Sequence, residues 1–305
     1  MNSLTKHRKL PDWLKAKAPS GETYLQVKRL MRESSLHTVC EEAHCPNIGE
    51  CWETKSATFM ILGDTCTRHC RYCAVKTGRP SNIDLEEPMR LAKTVKHLGL
   101  EYCVITSVNR DDLSDGGALI FAMCIKYIKD LIPSCKVEVL IPDFEGSMLA
   151  LDTVIKAQPN VLNHNIESTR QLFHKVRPKG DYDRSLHLLA RSKELDPSLP
   201  SKSGIIVGMG ETLEDITATM RDLRNVNCDL LTVGQYLRPS TAHLPVAKFY
   251  PPQEFQEIER IGNSLGFAHV AAGPMVRSSY HADQQHDAAI KRLQSVDTLE
   301  PNAYN

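Results

Sequence analysis

From Thr58 onward the chain alternates between two kinds of segment, and this alternation limits the fold more than any other feature. Apolar, β-prone runs at 58–62, 103–108, 136–141, 161–166, 204–207 and 230–236 are each followed by a helix-like stretch, at 85–98, 118–132, 148–157, 185–194, 213–225 and 253–265. Strand then helix in strict order reads as parallel strands joined by right-handed crossovers. A closed eight-fold barrel takes about 250 residues. Six units fall short of that, so the expected fold is α/β: a partial (β/α)6 TIM-like barrel with N-terminal and C-terminal extensions. The expected boundaries are 1–57 for the first extension, 58–267 for the barrel and 268–305 for the last extension. A short amphipathic helix is expected at 22–36, and the basic first seventeen residues read as a solvated tail.

The first strand empties through Gly63-Asp64 into a loop holding Cys66, Cys70 and Cys73, spaced Cys-x3-Cys-x2-Cys, with Arg68 and Arg71 between them. Barrels place their chemistry at such strand ends. Thiols beside cations are expected to have lowered pKa values and to ligate as thiolates. A structural zinc takes four ligands, whereas three thiolates on a four-iron cluster leave one iron open to a small molecule. The loop therefore favours a cluster over zinc. Upstream, Cys40, Cys45 and Cys51 form a second trio, Cys-x4-Cys-x5-Cys, which Pro46 and Gly49 keep out of a regular helix. Reduced structural cysteines, or half a zinc site completed by His37 or His44, are the plainer alternatives for this trio. Six cysteines between positions 40 and 73 fit metal or cluster ligation in a reducing compartment. Cys103, Cys124, Cys135 and Cys228 lie in apolar runs and read as small buried hydrophobes.

The other strand ends are polar. Thr106 and Ser107 precede Arg110-Asp111-Asp112, a stretch that also suits a helix-capping loop. Asn163, Asn165 and Glu167 share one face by strand alternation, which points His164 the other way, as a core histidine. Gly208-Met209-Gly210 lets backbone amides approach a ligand, but Leu213 stands where a dinucleotide fingerprint needs glycine. Gln235 and Arg238 end the sixth strand. With 37 basic and 37 acidic residues the net charge is zero, which gives no global argument for nucleic acid. No run has the length or apolarity of a membrane span, and no secretory signal is expected.

The stretches CEEAHCPNIGECW, CTRHCRYCAV, RDDLSDGGA, LNHNIE, VGMGET, GQYLRPS and RSSYHAD together resemble the lipoyl synthase family of the radical S-adenosylmethionine superfamily, over most of the chain from His37 to Asp283. The resemblance implies that Cys66, Cys70 and Cys73 hold a [4Fe-4S] cluster that binds and cleaves S-adenosylmethionine, with Tyr72 at the family's aromatic position. It implies an auxiliary [4Fe-4S] cluster on Cys40, Cys45 and Cys51, with Ser279 as fourth ligand. Ser279 is preferred to Ser278 from the motif, and nothing in the chain alone separates them. Tyr72, Thr106, Ser107, Asn163, Glu167, Gly208 and Arg238 are the candidates for gripping S-adenosylmethionine or substrate. The implied reaction inserts two sulfur atoms, drawn from the auxiliary cluster, at carbons 6 and 8 of a protein-bound octanoyl-lysine, using two S-adenosylmethionine molecules. Those carbons carry unactivated C–H bonds, which call for radical rather than acid–base chemistry. Implied partners are octanoylated lipoyl-carrier domains (2-oxoacid dehydrogenase E2 subunits and the glycine cleavage H protein), a low-potential electron donor and an iron–sulfur carrier that rebuilds the spent cluster. The expected location is the cytoplasm. A biotin synthase-like enzyme would draw its auxiliary ligands from barrel strands, and a two-cluster carrier or zinc module would not need these polar strand ends.

Overall fold

All six expected strand–helix units form, and a seventh parallel strand follows them. The computed structural model describes residues 10–16, 19–54 and 56–297. The basic tail expected over the first seventeen residues falls largely outside the described residues. Helix α1 (Glu22–Glu33) leads into β1 (His37–Thr38), α2 (Val39–Glu42) and α3 (Ile48–Glu53), the segment that contains Cys40, Cys45 and Cys51. Strand β2 (Thr58–Ile61) opens the barrel, and the short ribbon of β3 (Thr65–Cys66) and β4 (Lys76–Thr77) brackets Cys66, Cys70 and Cys73. Then come α4 (Glu87–Leu98), β5 (Tyr102–Ser107), α5 (Ala118–Leu131), β6 (Lys136–Leu140), α6 (Met148–Lys156), β7 (Val161–Asn163) and α7 (Phe173–Val176). The chain finishes through α8 (Tyr182–Leu195), β8 (Ser201–Val207), α9 (Leu213–Asn225), β9 (Leu230–Gln235), α10 (Pro252–Ser264), β10 (His269–Gly273) and α11 (Ala282–Asp297).

The main sheet runs β1-β2-β5-β6-β7-β8-β9-β10. Only the β1–β2 pair is antiparallel, and the other pairs are parallel. The barrel is thus partial and open, with β1 and β10 at its edges. The expectation of six strands is corrected to seven, because β10 pairs with β9 from His269↔Leu230 to Gly273↔Gly234. Its sequence, His-Val-Ala-Ala-Gly, has a single β-branched residue and so little strand signal. Strand β7 ends at Asn163, and pairing with β8 resumes only in the bridge between Glu167 and Ile205.

The outward strand faces are apolar. Phe59, Ile61, Ile105, Val139 and Val233 are buried beneath helix residues such as Leu91, Phe121, Leu151 and Ile258. Burying a side chain of this kind contributes about 1.5–3 kcal/mol. The inward face is polar by contrast. Near its base the Glu138 carboxylate pairs with Lys202 Nζ at 3.1 Å and accepts from Asn163 Nδ2 at 3.0 Å and Tyr102 Oη at 2.7 Å. Helix α11 closes this base: Asp287 pairs with Lys136 at 2.9 Å, and Ala289 packs with Val161 and Leu230, each at the start of its strand. The opposite end, where the strands finish, is left open for the site.

Candidate active site

The turn out of β2 is fixed from below. Leu62 takes a left-handed φ of +69°, and its N–H donates to Oε2 of the buried Glu87 at 2.8 Å. That carboxylate sits at the start of α4, so the helix pins the point where the 63–77 loop departs. Within the loop, Cys66 Sγ accepts from the backbone N–H of Arg68 at 3.4 Å, of Asn109 at 3.3 Å, and from Asn109 Nδ2 at 3.7 Å. Three N–H groups aimed at one sulfur suit a thiolate or a cluster ligand.

The loop arginines do not act on the thiols as expected. Arg68 is buried and spent on two carboxylates, Asp111 at 2.8 Å and Asp143 at 2.6 Å. Arg71 is exposed and is tied by its backbone to Val176 and Leu244. Burial instead pushes the Cys73 thiol up to about 12 and raises Cys70, against the opposing charge of Arg177. The expected lowering of thiol pKa is therefore corrected for Cys70 and Cys73. Arg177 is the cation that matters here, and no motif announced it.

The second trio forms a pocket with the far end of the chain. Cys40 lies in α2, whose N-cap Thr38 accepts from Glu41 N–H, and Cys51 lies in α3. Burial raises Cys40 to about 11 and Cys51 to about 12, and each is raised further by neighbouring thiols of the trio, so the three lie close together. Onto them folds the turn that follows β10. Thr58 Oγ1 donates to Ser279 Oγ at 2.7 Å, Asn47 Nδ2 to Met275 O at 2.7 Å, and Tyr280 Oη to Glu50 Oε1 at 2.9 Å. Gly234 in β9 makes room for this turn: a Cβ there would lie 2.1 Å from Val276 O.

Cysteines of both trios, Cys51 excepted, open on one cavity of about 470 Å³ at the strand ends. Cys66, Cys70 and Cys73 border one part of it, and Cys40, Cys45, Ser278 and Ser279 another. Tyr72, Thr106, Ser107, Glu167 and Arg238 are in its wall, as expected. Thr106 donates to Leu140 O at 2.8 Å, and the exposed Arg238 is held by His243 O at 2.9 Å. Glu167 has a left-handed φ of +69°, a strained conformation of the kind that gathers at functional sites. Burial raises its carboxyl pKa, opposed by Arg177, Asn165 and Tyr72.

Two candidates fall outside the cavity. Asn163 lies a layer deeper, where it donates to Glu138, because β7 stops there and only the following residues reach the opening. Gly208 is turned away, with its N–H given to Glu211 and no room for a Cβ between Gln235 and Lys248 O. Conversely His164, expected to be a satisfied core residue, is buried but lines the cavity. Its Nδ1 meets Ile141 O at 2.9 Å while Nε2 is unpartnered, and burial, reinforced by Arg177, lowers its pKa to about 4, keeping it neutral. Asn109 and Arg177 are further wall residues that strand-end reasoning did not single out.

The donor set fits the expected cofactors. Five of the six free cysteines, all but Cys51, face a cavity whose wall also carries unpartnered, buried Ser107 Oγ, Asn109 Oδ1, His164 Nε2 and Asn165 Oδ1. Native interiors rarely leave such atoms unpaired without a ligand or water to meet them. Among the described residues, no three His, Cys, Asp or Glu side chains converge on a single ion.

Known proteins agree with this geometry. The radical SAM superfamily profile matches residues 60–223, and the profile of the N-terminal domain of lipoyl synthase matches residues 2–45. The chain is 57% identical to a lipoyl synthase of Rubrobacter xylanophilus over 279 residues, covering 92% of this chain and 87% of that protein. It is 54% identical to one of Shouchella clausii over 290 residues, covering 95% and 94%. In fold it resembles the FeFe-hydrogenase maturase HydG from Carboxydothermus hydrogenoformans, with a TM-score of 0.56, 14% identity, and coverage of 88% of this chain and 60% of that one. The chain therefore belongs to the lipoyl synthase family of the radical S-adenosylmethionine superfamily, sulfur-inserting enzymes whose cofactors are S-adenosylmethionine and two [4Fe-4S] clusters.

Proposed function

We propose that the two cysteine trios divide the family's reaction between them across the shared cavity. Cys66, Cys70 and Cys73 hold the cluster that binds S-adenosylmethionine, and Cys40, Cys45 and Cys51 with Ser279 hold the auxiliary cluster that gives up sulfur. When bound, these groups supply a low-potential electron, a hydrogen-abstracting carbon radical and the sulfur to be inserted at carbons 6 and 8 of an octanoyl chain. The protein holds, orients and shields. Arg177 and the backbone around Asn109 set the charge near the first trio, while Thr106, Ser107, Asn165, His164 and Glu167 offer polar contacts to S-adenosylmethionine. Thr58 positions Ser279, whose hard oxygen is a weaker iron ligand than thiolate and the one most readily given up. The first boundary is kept at 57/58, while the second, expected at 267/268, moves past β10 (His269–Gly273), which pairs with β9 in the barrel sheet, and each extension donates auxiliary ligands.

The observation that carries this reading is that Cys66, Cys70 and Cys73 share one cavity with Cys40, Cys45 and Ser279. The substrate is an octanoyl-lysine on a lipoyl-carrier domain, E2 or H protein, and the enzyme works in the cytoplasm with a low-potential donor and an iron–sulfur carrier. No described helix is long and apolar enough to cross a membrane. Anaerobic reconstitution is expected to give about eight irons per chain, falling to about four when Cys40, Cys45 and Cys51 become alanine. About four irons in the parent, or zinc in their place, would remove the auxiliary cluster from the account.

A further inference from the structure

Charge around the cavity mouth is arranged very unevenly for a chain with no net charge. Three stretches contain no Asp or Glu: 65–83, 168–180 and 230–253. Between them they carry ten Lys and Arg residues. They are far apart in sequence but knit together in space. Arg71 N–H donates to Val176 O at 2.9 Å, and Lys179 Nζ to Thr67 O at 3.2 Å. Leu244 N–H donates to Arg71 O at 3.1 Å, and His243 Nε2 meets Cys73 O at 2.9 Å. All three also supply residues to the cavity wall, among them Tyr72, Arg177 and Arg238.

Part of this charge is already used. Arg68 is paired in the interior, Arg170 is paired with Asp183 and Asp222, and Lys248 with Glu254. Arg71, Arg79, Lys175 and Lys179 are exposed and form no ion pair among the described residues. Cations that share one rim add their fields over a Debye length of about 10 Å, and such fields steer encounter and fix register. In sequence, by contrast, Cys40 and Cys51 are flanked by Glu41, Glu42, Glu50 and Glu53.

We infer that this basic rim, through its unpaired Arg71, Arg79, Lys175 and Lys179, is the docking surface for the carrier protein, and that it takes an acidic face of the carrier and so points the modified lysine into the cavity. The inference rests on the reading that the substrate is a protein-bound octanoyl-lysine. A polyanionic nucleic acid fits less well, because the chain as a whole is neutral and lacks the basic excess of nucleic-acid binders.

The test uses the reconstituted holoenzyme and two substrates, an octanoylated glycine cleavage H protein and a short uncharged peptide carrying octanoyl-lysine. The double variant Arg79→Glu/Lys175→Glu touches neither cysteine trio. Its KM for the carrier is expected to rise by about tenfold, with carrier turnover by the parent weakening as salt is added. KM for the peptide and kcat at saturation stay as in the parent, and Arg79→Lys/Lys175→Arg restores carrier binding. An unchanged KM for the carrier, or equal losses on carrier and peptide, overturns the docking surface while leaving the substrate reading intact. A parent that turns over neither substrate overturns the substrate reading, and the docking surface with it. Capture of a short DNA duplex more tightly than of the carrier overturns the choice of a protein partner.

Discussion

Arg68 holds the 63–77 loop to the barrel by a charge that never reaches solvent. Its partner Asp143 is fully buried and also lies 3.4 Å from Arg184. Burial alone would push the Asp143 carboxyl up, but the Arg68 hydrogen bond and charge outweigh it and hold the group well below the usual carboxylate range. A carboxylate depressed in this way stabilises the fold fully above its unfolded value of about 4, and that contribution drains as pH falls below it. Replacing Arg68 with methionine leaves the buried charge without its main partner, which costs about 3–5 kcal/mol. The variant should therefore melt well below the parent at pH 7, and the gap between them should narrow below about pH 4. A gap independent of pH, measured by denaturant unfolding of the two chains, would show that the pair is not what holds the loop.

The elements reveal why some of this was legible in the sequence and some was not. The six strands with long β-branched or apolar runs stood out because both their ends and their periodicity are marked. Strand β10 did not, since its Ala-Ala-Gly core is chosen for closeness rather than strand propensity. The cysteine spacings gave the loops that carry the chemistry, but not the partner of Arg68 or the placement of Arg177, which depend on strands brought together only by folding. Asn163 and His164 were exchanged in role because β7 ends at Asn163, and strict alternation no longer holds beyond it. Glycines in strands carried more information than their weak propensity suggests. Gly234 admits the 275–279 turn against β9, with Val276 O where a side chain would begin. Gly234→Val should push that turn off the strand and separate Ser279 from Thr58. Reconstituted protein should then keep about four irons, with the S-adenosylmethionine-cleaving cluster intact and the auxiliary one lost. A full complement of about eight irons in this variant would mean the turn can settle elsewhere.

At the scale of the whole molecule, the two extensions meet on one side of the barrel opening. Asn47 to Met275, Glu50 to Tyr280 and Thr58 to Ser279 join residues more than two hundred positions apart. Contacts of such separation are the last to repay their loop-closure entropy, and hydrogen bonds of this kind contribute only about 0.5–1.5 kcal/mol each. Three of them alone hold the turn weakly, so a group bound between Cys40, Cys45, Cys51 and Ser279 would add most of its stability. Loss of that group should loosen the turn locally while the barrel stays intact, because α11 secures the other end through Lys136 and Ala289. Hydrogen exchange can separate the two. In the variant with Cys40, Cys45 and Cys51 replaced by alanine, amides of residues 275–281 should exchange faster than in the loaded parent, while those of β5, β6 and β8 keep their protection. Equal protection of the turn with and without Cys40, Cys45 and Cys51 would mean that the three hydrogen bonds suffice. Ser279 would then be held by the fold rather than by what it binds.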